Sequence, residues 1–165
     1  MFEEFQGIPV HPLLVHAAVV LLPMQVAAAL AYAVLPRFRR YVAWFAVGTA
    51  VAAPMAAFLA KQSGEKLQAR LIRNGTSDAG VLARINQHKD FGTLALYASL
   101  TLGALVIIMF LVLRMRAART DEDGQRGGGL VGIALMVVTI VAAGATLYYV
   151  IRTGDSGAKM VWTGI

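Results

Sequence analysis

Four stretches of this chain, residues 13–35, 41–60, 91–113 and 130–151, are each long and apolar enough to cross a bilayer as a helix. Nothing else constrains the fold as tightly. The hydrocarbon core is roughly 30 Å thick and takes about 20 apolar residues of helix. Together the stretches use more than half of the 165 residues, which leaves no length for a separate soluble domain. Composition agrees: 58% of residues are hydrophobic and 15% charged, against about half and a quarter in soluble domains. The expected fold class is therefore all-α, an integral membrane four-helix bundle with both termini on the same side. One four-span domain covers residues 1–165.

The first stretch reads as a retained span and not as a cleaved signal, because its start is acidic (Glu3, Glu4) and its apolar run is full length. The absence of cysteine excludes disulfides, thiolate metal sites, iron–sulfur clusters and covalently attached haem. The net charge of +6 is carried mostly by short connections between spans. That is where topology signals sit, so nucleic acid is not an expected partner.

Along the chain, Pro12 suits a first helical position, where its missing N–H costs nothing. Pro23 should kink the first span unless neighbours satisfy the carbonyl it frees. Pro54 lies in the second span among Gly48, Ala52, Ala53, Ala56 and Ala57, small residues that permit close helix contact. Residues 61–90 read as the longest connection, with a short amphipathic helix over 64–73 and a break at Asn74-Gly75. Ser77 or Asp78 then caps a helix running through His88 into the third span. Residues 114–129 read as a mobile loop and 152–165 as a tail, in which Trp162 is an interfacial anchor. The connections after spans 1 and 3 hold seven Lys and Arg and the opposite face holds eight. Three arginines in the five-residue first loop break this near-tie, because the first hairpin usually dominates orientation. Both termini are expected outside the cytoplasm of a bacterial inner membrane.

All three histidines fall at one membrane face. His11 and His16 open span 1, His88 opens span 3, and alternate spans run in the same direction. Five residues separate His11 from His16, about 140° around a helix and about 7.5 Å along it, so the two cannot share one atom. His88 lies on the apolar stripe Val81, Ile85, His88, Gly92 and is expected to face the bundle. Neutral imidazoles on facing helices are the natural axial ligands of a b-type haem. The expected pair is His16 and His88, with His11 nearer the rim or serving a second site. Lys61, Arg70, Arg84 and Lys89 lie on the correct side to meet the propionates.

Other readings stand beside this one. Interfacial histidines commonly only bond a carbonyl or water, which would make the chain a scaffolding subunit of a larger complex or a homo-oligomer. The three imidazoles would also suit copper or zinc. Glu65, Asp90 and Asp155 read as exposed carboxylates. Spans 2, 3 and 4 carry no deep ionisable residue, which argues against an ion pump. The reading that joins these features is a membrane haem b protein passing electrons near the extracytoplasmic face, with quinone and a redox protein as partners. It is an electron-transfer component more than a stand-alone enzyme.

His11-Pro12-Leu13-Leu14-Val15-His16 with Pro23, Ser63-Gly64-Glu65-Lys66-Leu67, His88, and Thr153-Gly154-Asp155-Ser156-Gly157-Ala158 together resemble a bacterial membrane family catalogued as domain of unknown function 2231. The resemblance spans essentially the whole chain. It implies a four-helix membrane domain, sometimes joined to Rieske-type or cytochrome c modules, and with that company redox work and haem binding. Asp155 stands where many such relatives resemble one another in having histidine, so the resemblance implies that any second cofactor site is altered here.

Overall fold

The structure, a computed structural model, describes residues 4–5, 8–123 and 129–162. Two short strands, β1 (Glu4–Phe5) and β2 (Ile8–Pro9), pair antiparallel ahead of the helices. Four long helices follow: α1 (Val10–Val34), α2 (Arg39–Arg73), α3 (Ala79–Asp123) and α4 (Leu130–Trp162). A 3₁₀ turn, Pro36–Phe38, links α1 to α2. All four helices are long and apolar enough to cross a membrane. Each packs on its neighbours in ring order, with α4 closing back on α1, while α1 and α3 touch sparingly across the diagonal. The expected four-helix membrane bundle is what forms.

The ends of the helices differ from the sequence reading. Residues 64–73 are not a separate helix but the last turns of α2, because nothing between Ala60 and Asn74 stops it. The stop comes at Gly75, whose φ of +97° is open to glycine. There the N–H of Thr76 reaches back to the Leu71 carbonyl at 3.1 Å, closing the helix in a Schellman motif. Asp78, and not Ser77, caps the next helix, its Oδ1 accepting from the Val81 N–H at 2.9 Å. Helix α3 then runs unbroken through His88, as its apolar stripe predicts. It continues to Asp123, so the first part of the expected 114–129 loop is helical, and 124–128, with Arg126, lie outside the described residues. The expected tail is likewise helical as far as Trp162.

Each helix buries one stripe. On α1 it is Ala18, Leu22, Gln25, Ala29 and Ala33; on α3 it is Ala95, Ser99, Leu102, Val106 and Met109. Where the two stripes cross, the Gln25 amide donates to the Ser99 carbonyl (2.9 Å) and the Ser99 hydroxyl donates back to Gln25 Oε1 (2.6 Å). An interhelical bond of this kind spares both polar groups an unpaired place in hydrocarbon. Pro54 frees the carbonyl of Ala50 from its helical bond. Gly103 packs against that oxygen so closely that a Cβ would stand 2.5 Å from it. Pro23 faces outward without ending α1. At the far end of the bundle Arg39 donates to the carbonyls of Tyr32 and Ala33, both at 2.9 Å, which satisfies the last turn of α1.

Candidate functional site

The site is built at the mouth where α1 and α3 begin and α2 and α4 arrive. His11, at the start of α1, is half-buried on the same stripe that carries Ala18, Leu22 and Gln25. Its Nδ1 lies 3.0 Å from the Ala60 carbonyl and 3.0 Å from Ser63 Oγ, both on α2. A carbonyl oxygen only accepts, so Nδ1 carries the proton. The Ser63 hydroxyl donates its own hydrogen to the Ala60 carbonyl at 2.9 Å and therefore accepts from the ring. The hydrogen-bond network thus assigns the tautomer: Nδ1–H is held by α2, and the lone pair is on Nε2.

The second hairpin repeats the arrangement. His88 Nδ1 lies 2.9 Å from Ser156 Oγ, with the Thr153 carbonyl beside it, and Ser156 donates to that carbonyl at 3.0 Å. Again the serine hydrogen is committed, the ring Nδ1 is the donor, and Nε2 is left with its lone pair. The backbone comes close in both halves. A Cβ on Gly64 would stand 3.0 Å from His11 Cε1, and a Cβ on Gly157 would stand 3.0 Å from His88 Cε1. Both serine–glycine pairs belong to the same short pattern, Ser-Gly-x-Lys, at 63–66 and 156–159. Two helical hairpins of the same direction thus present matching histidines, as a parallel duplication about the membrane normal would. The two imidazoles come from diagonal helices and are near enough to act on each other electrostatically.

His16 does not join them. It sits with Val20, Pro23 and Ala27 on the exposed face of α1, and its Nδ1 bonds the Pro12 carbonyl of its own helix at 2.5 Å. The structure therefore sets His11, rather than His16, at the mouth near His88. The five-residue offset that separates the first two histidines turns one inward and the other outward.

The expected cations gather around the mouth without lining up alike. Lys61 is half-buried and paired with Glu65 at 2.6 Å. Lys89, exposed on α3, acts electrostatically on the same carboxylate. Arg70 and Arg84 stand further out on the extension of α2 and α3, each already engaged by neighbours. That extension is tied across by Gln68 and Asn86 at 2.9 Å. Asp155 is exposed and bound to Lys159 at 2.8 Å. Among the described residues no group of three or more His, Cys, Asp or Glu converges. The serines that hold the rings and the glycines that make room for them stood in the sequence only as parts of quoted motifs without a role, although the repeated Ser-Gly-x-Lys was there to assign one.

The profile of a family described as a predicted membrane protein (DUF2231) matches residues 7–164. No curated protein and no solved structure matches the chain.

Proposed function

The chain belongs to the DUF2231 family of predicted membrane proteins, and from that premise we propose that it is a membrane-embedded haem b protein with His11 and His88 as axial ligands. The observation that carries this reading is the matched pair of imidazoles. Each has its Nδ1–H held by a serine of the adjoining helix, and each keeps an Nε2 lone pair. Metal-bound histidines characteristically donate their other N–H in this way, which fixes the tautomer and raises ligand basicity. Two protein donors suffice for haem, because the porphyrin supplies the rest. A mononuclear zinc site draws three or four ligands from the protein, so the donor count favours haem over zinc.

Haem supplies one-electron redox chemistry at a chain that has no cysteine, hence by non-covalent binding. His11 and His88 would hold the iron, and Lys61 and Lys89 lie at the same mouth. We assign the mouth to the extracytoplasmic side, because Arg37, Arg39 and Arg40 crowd the short connection at the other end. Electrons would pass there between quinone and a redox protein at a bacterial cytoplasmic membrane, in a component more than in a stand-alone enzyme. The test is the absorption spectrum of detergent-solubilised protein expressed with added haem. A Soret band with a pyridine haemochrome of the b type is expected. A colourless protein, whose histidine variants assemble normally, would refute it and favour a scaffolding subunit.

A further inference from the structure

The two hairpins match at His11 and His88, at Ser63 and Ser156, and at Gly64 and Gly157, but they differ one turn further in. Four residues before Ser63 stands Leu59; four residues before Ser156 stands Arg152. Read as a sequence, Arg152 falls just past the last span, among the topology signals. Helix α4 instead continues to Trp162, and Ser156 lies level with His88 through their hydrogen bond. Arg152 is therefore about 6 Å deeper than that contact, at a rise of roughly 1.5 Å per residue. It lies on the stripe that leads to Ser156, and its guanidinium carbon is 4.8 Å from the ring centre of Phe91, three residues beyond His88 on α3.

Its Nε is shut off from solvent and has no hydrogen-bond partner among the described residues. The nearest acid along α4, Asp155, is bound to Lys159, and Glu65 at the same mouth is bound to Lys61. A half-buried cation at the mouth of a membrane bundle is held at some cost and often marks a site with a partner. An unmet N–H adds a further cost that a neutral side chain such as leucine would avoid. The Phe91 ring stabilises the guanidinium and leaves donors for a ligand.

We infer that Arg152 binds an oxyanion, a carboxylate or a phosphate, at the seam between α3 and α4 beside His88. A guanidinium offers such groups two parallel N–H donors, which an ammonium cannot. Two sources supply that chemistry. One is an acidic substituent of the group held by the histidines, in which case the inference rests on the function proposed above. The other is the phosphate of an anionic lipid, uncompensated by a headgroup cation, at the same mouth, which needs no haem.

The full-length protein and its Arg152→Gln variant separate these sources. In one arm each is titrated with iron protoporphyrin IX and with its dimethyl ester, whose propionates carry no charge. In the other, each is placed in bilayers of phosphatidylcholine with or without phosphatidylglycerol, and thermal unfolding and retained lipid phosphate are measured. The wild type should favour the free acid, or the anionic lipid, by at least about tenfold, and Arg152→Gln should abolish that preference. Loss in the first arm assigns a carboxylate, and loss in the second assigns a lipid phosphate. A wild type with neither preference overturns the inference, and that result does not depend on whether the variant folds. A preference in either arm that Arg152→Gln leaves intact overturns it equally. Absence of porphyrin binding in every protein defeats the haem reading alone, and the lipid arm still decides Arg152.

Discussion

Ser156 Oγ stands 2.9 Å from Nδ1 of His88, and its own hydrogen is spent on the Thr153 carbonyl, so the serine acts on the ring only as an acceptor. Ser63 bears the same relation to His11 at 3.0 Å. Such an acceptor orients the imidazole and makes its free nitrogen a better donor to iron. Removing it typically costs 10- to 100-fold in metal affinity, roughly. Ser156→Ala should weaken haem binding by about tenfold or more and raise the reduction potential, because a less basic ligand stabilises ferric iron less. Ser63→Ala should act likewise on His11, because each ring keeps the backbone carbonyl beside its serine, Ala60 for His11 and Thr153 for His88. Haem titration and redox potentiometry measure both effects, and unchanged binding in both variants would contradict the assigned network.

Gly64 and Gly157 give a separate reading of the same geometry. A Cβ at either position meets an imidazole carbon at 3.0 Å, whereas at Gly48 and Gly144 it meets nothing within 4 Å. Gly64→Ala and Gly157→Ala should therefore displace the rings and broaden or shift the haem spectrum, with thermal stability nearly unchanged. Gly48→Ala and Gly144→Ala should leave the spectrum as it is. Spectra of the four variants, set beside their melting curves, decide it.

Deep in the bundle the limit is backbone against backbone. Alanine at Gly103 would place its Cβ 2.5 Å from the Ala50 oxygen, a carbonyl that Pro54 has left without its helical partner. Neither atom is at the end of a flexible side chain, so α2 and α3 must part. Overpacking of this sort costs about 1–3 kcal/mol. Denaturation of the micellar protein should show that loss, and Gly103→Ala should be the most destabilising of the glycine substitutions.

The Gln25–Ser99 pair joins α1 to α3 across the diagonal. Hydrogen bonds between membrane helices are worth about 0.6 kcal/mol on average and up to about 1.7. Gln25→Leu should cost about that much. In a double-mutant cycle, Ser99→Ala should add little to Gln25→Leu, because the loss of the Gln25 amide already removes the bond that the Ser99 hydroxyl makes. Strict additivity would show that the two side chains do not act as a pair.

Much of this fold was legible in the sequence. Apolar length is enough to place four spans, and the stripe Val81, Ile85, His88, Gly92 is enough to turn His88 inward. The ends of the helices were less legible, because Gly64 and Gly157 resemble turn signals. In the fold they are helical positions kept bare for an imidazole. The choice between His11 and His16 was hidden for a different reason. Helix α1 is apolar all round, so hydrophobic periodicity cannot phase it in a bilayer. Gln25, its one polar side chain besides the histidines and Tyr32, does: counting back from Gln25 through Leu22 and Ala18 reaches His11, while His16 keeps company with Val20, Pro23 and Ala27.

That choice is also where the account is most directly tested. Single substitutions of His11, His16 and His88 to alanine, each purified after haem-supplemented expression, are to be compared by their reduced and oxidised absorption spectra. His11→Ala and His88→Ala should lose the low-spin b-type spectrum, and His16→Ala should keep it. A His16→Ala protein without that spectrum, beside a His11→Ala protein that retains it, would contradict the account.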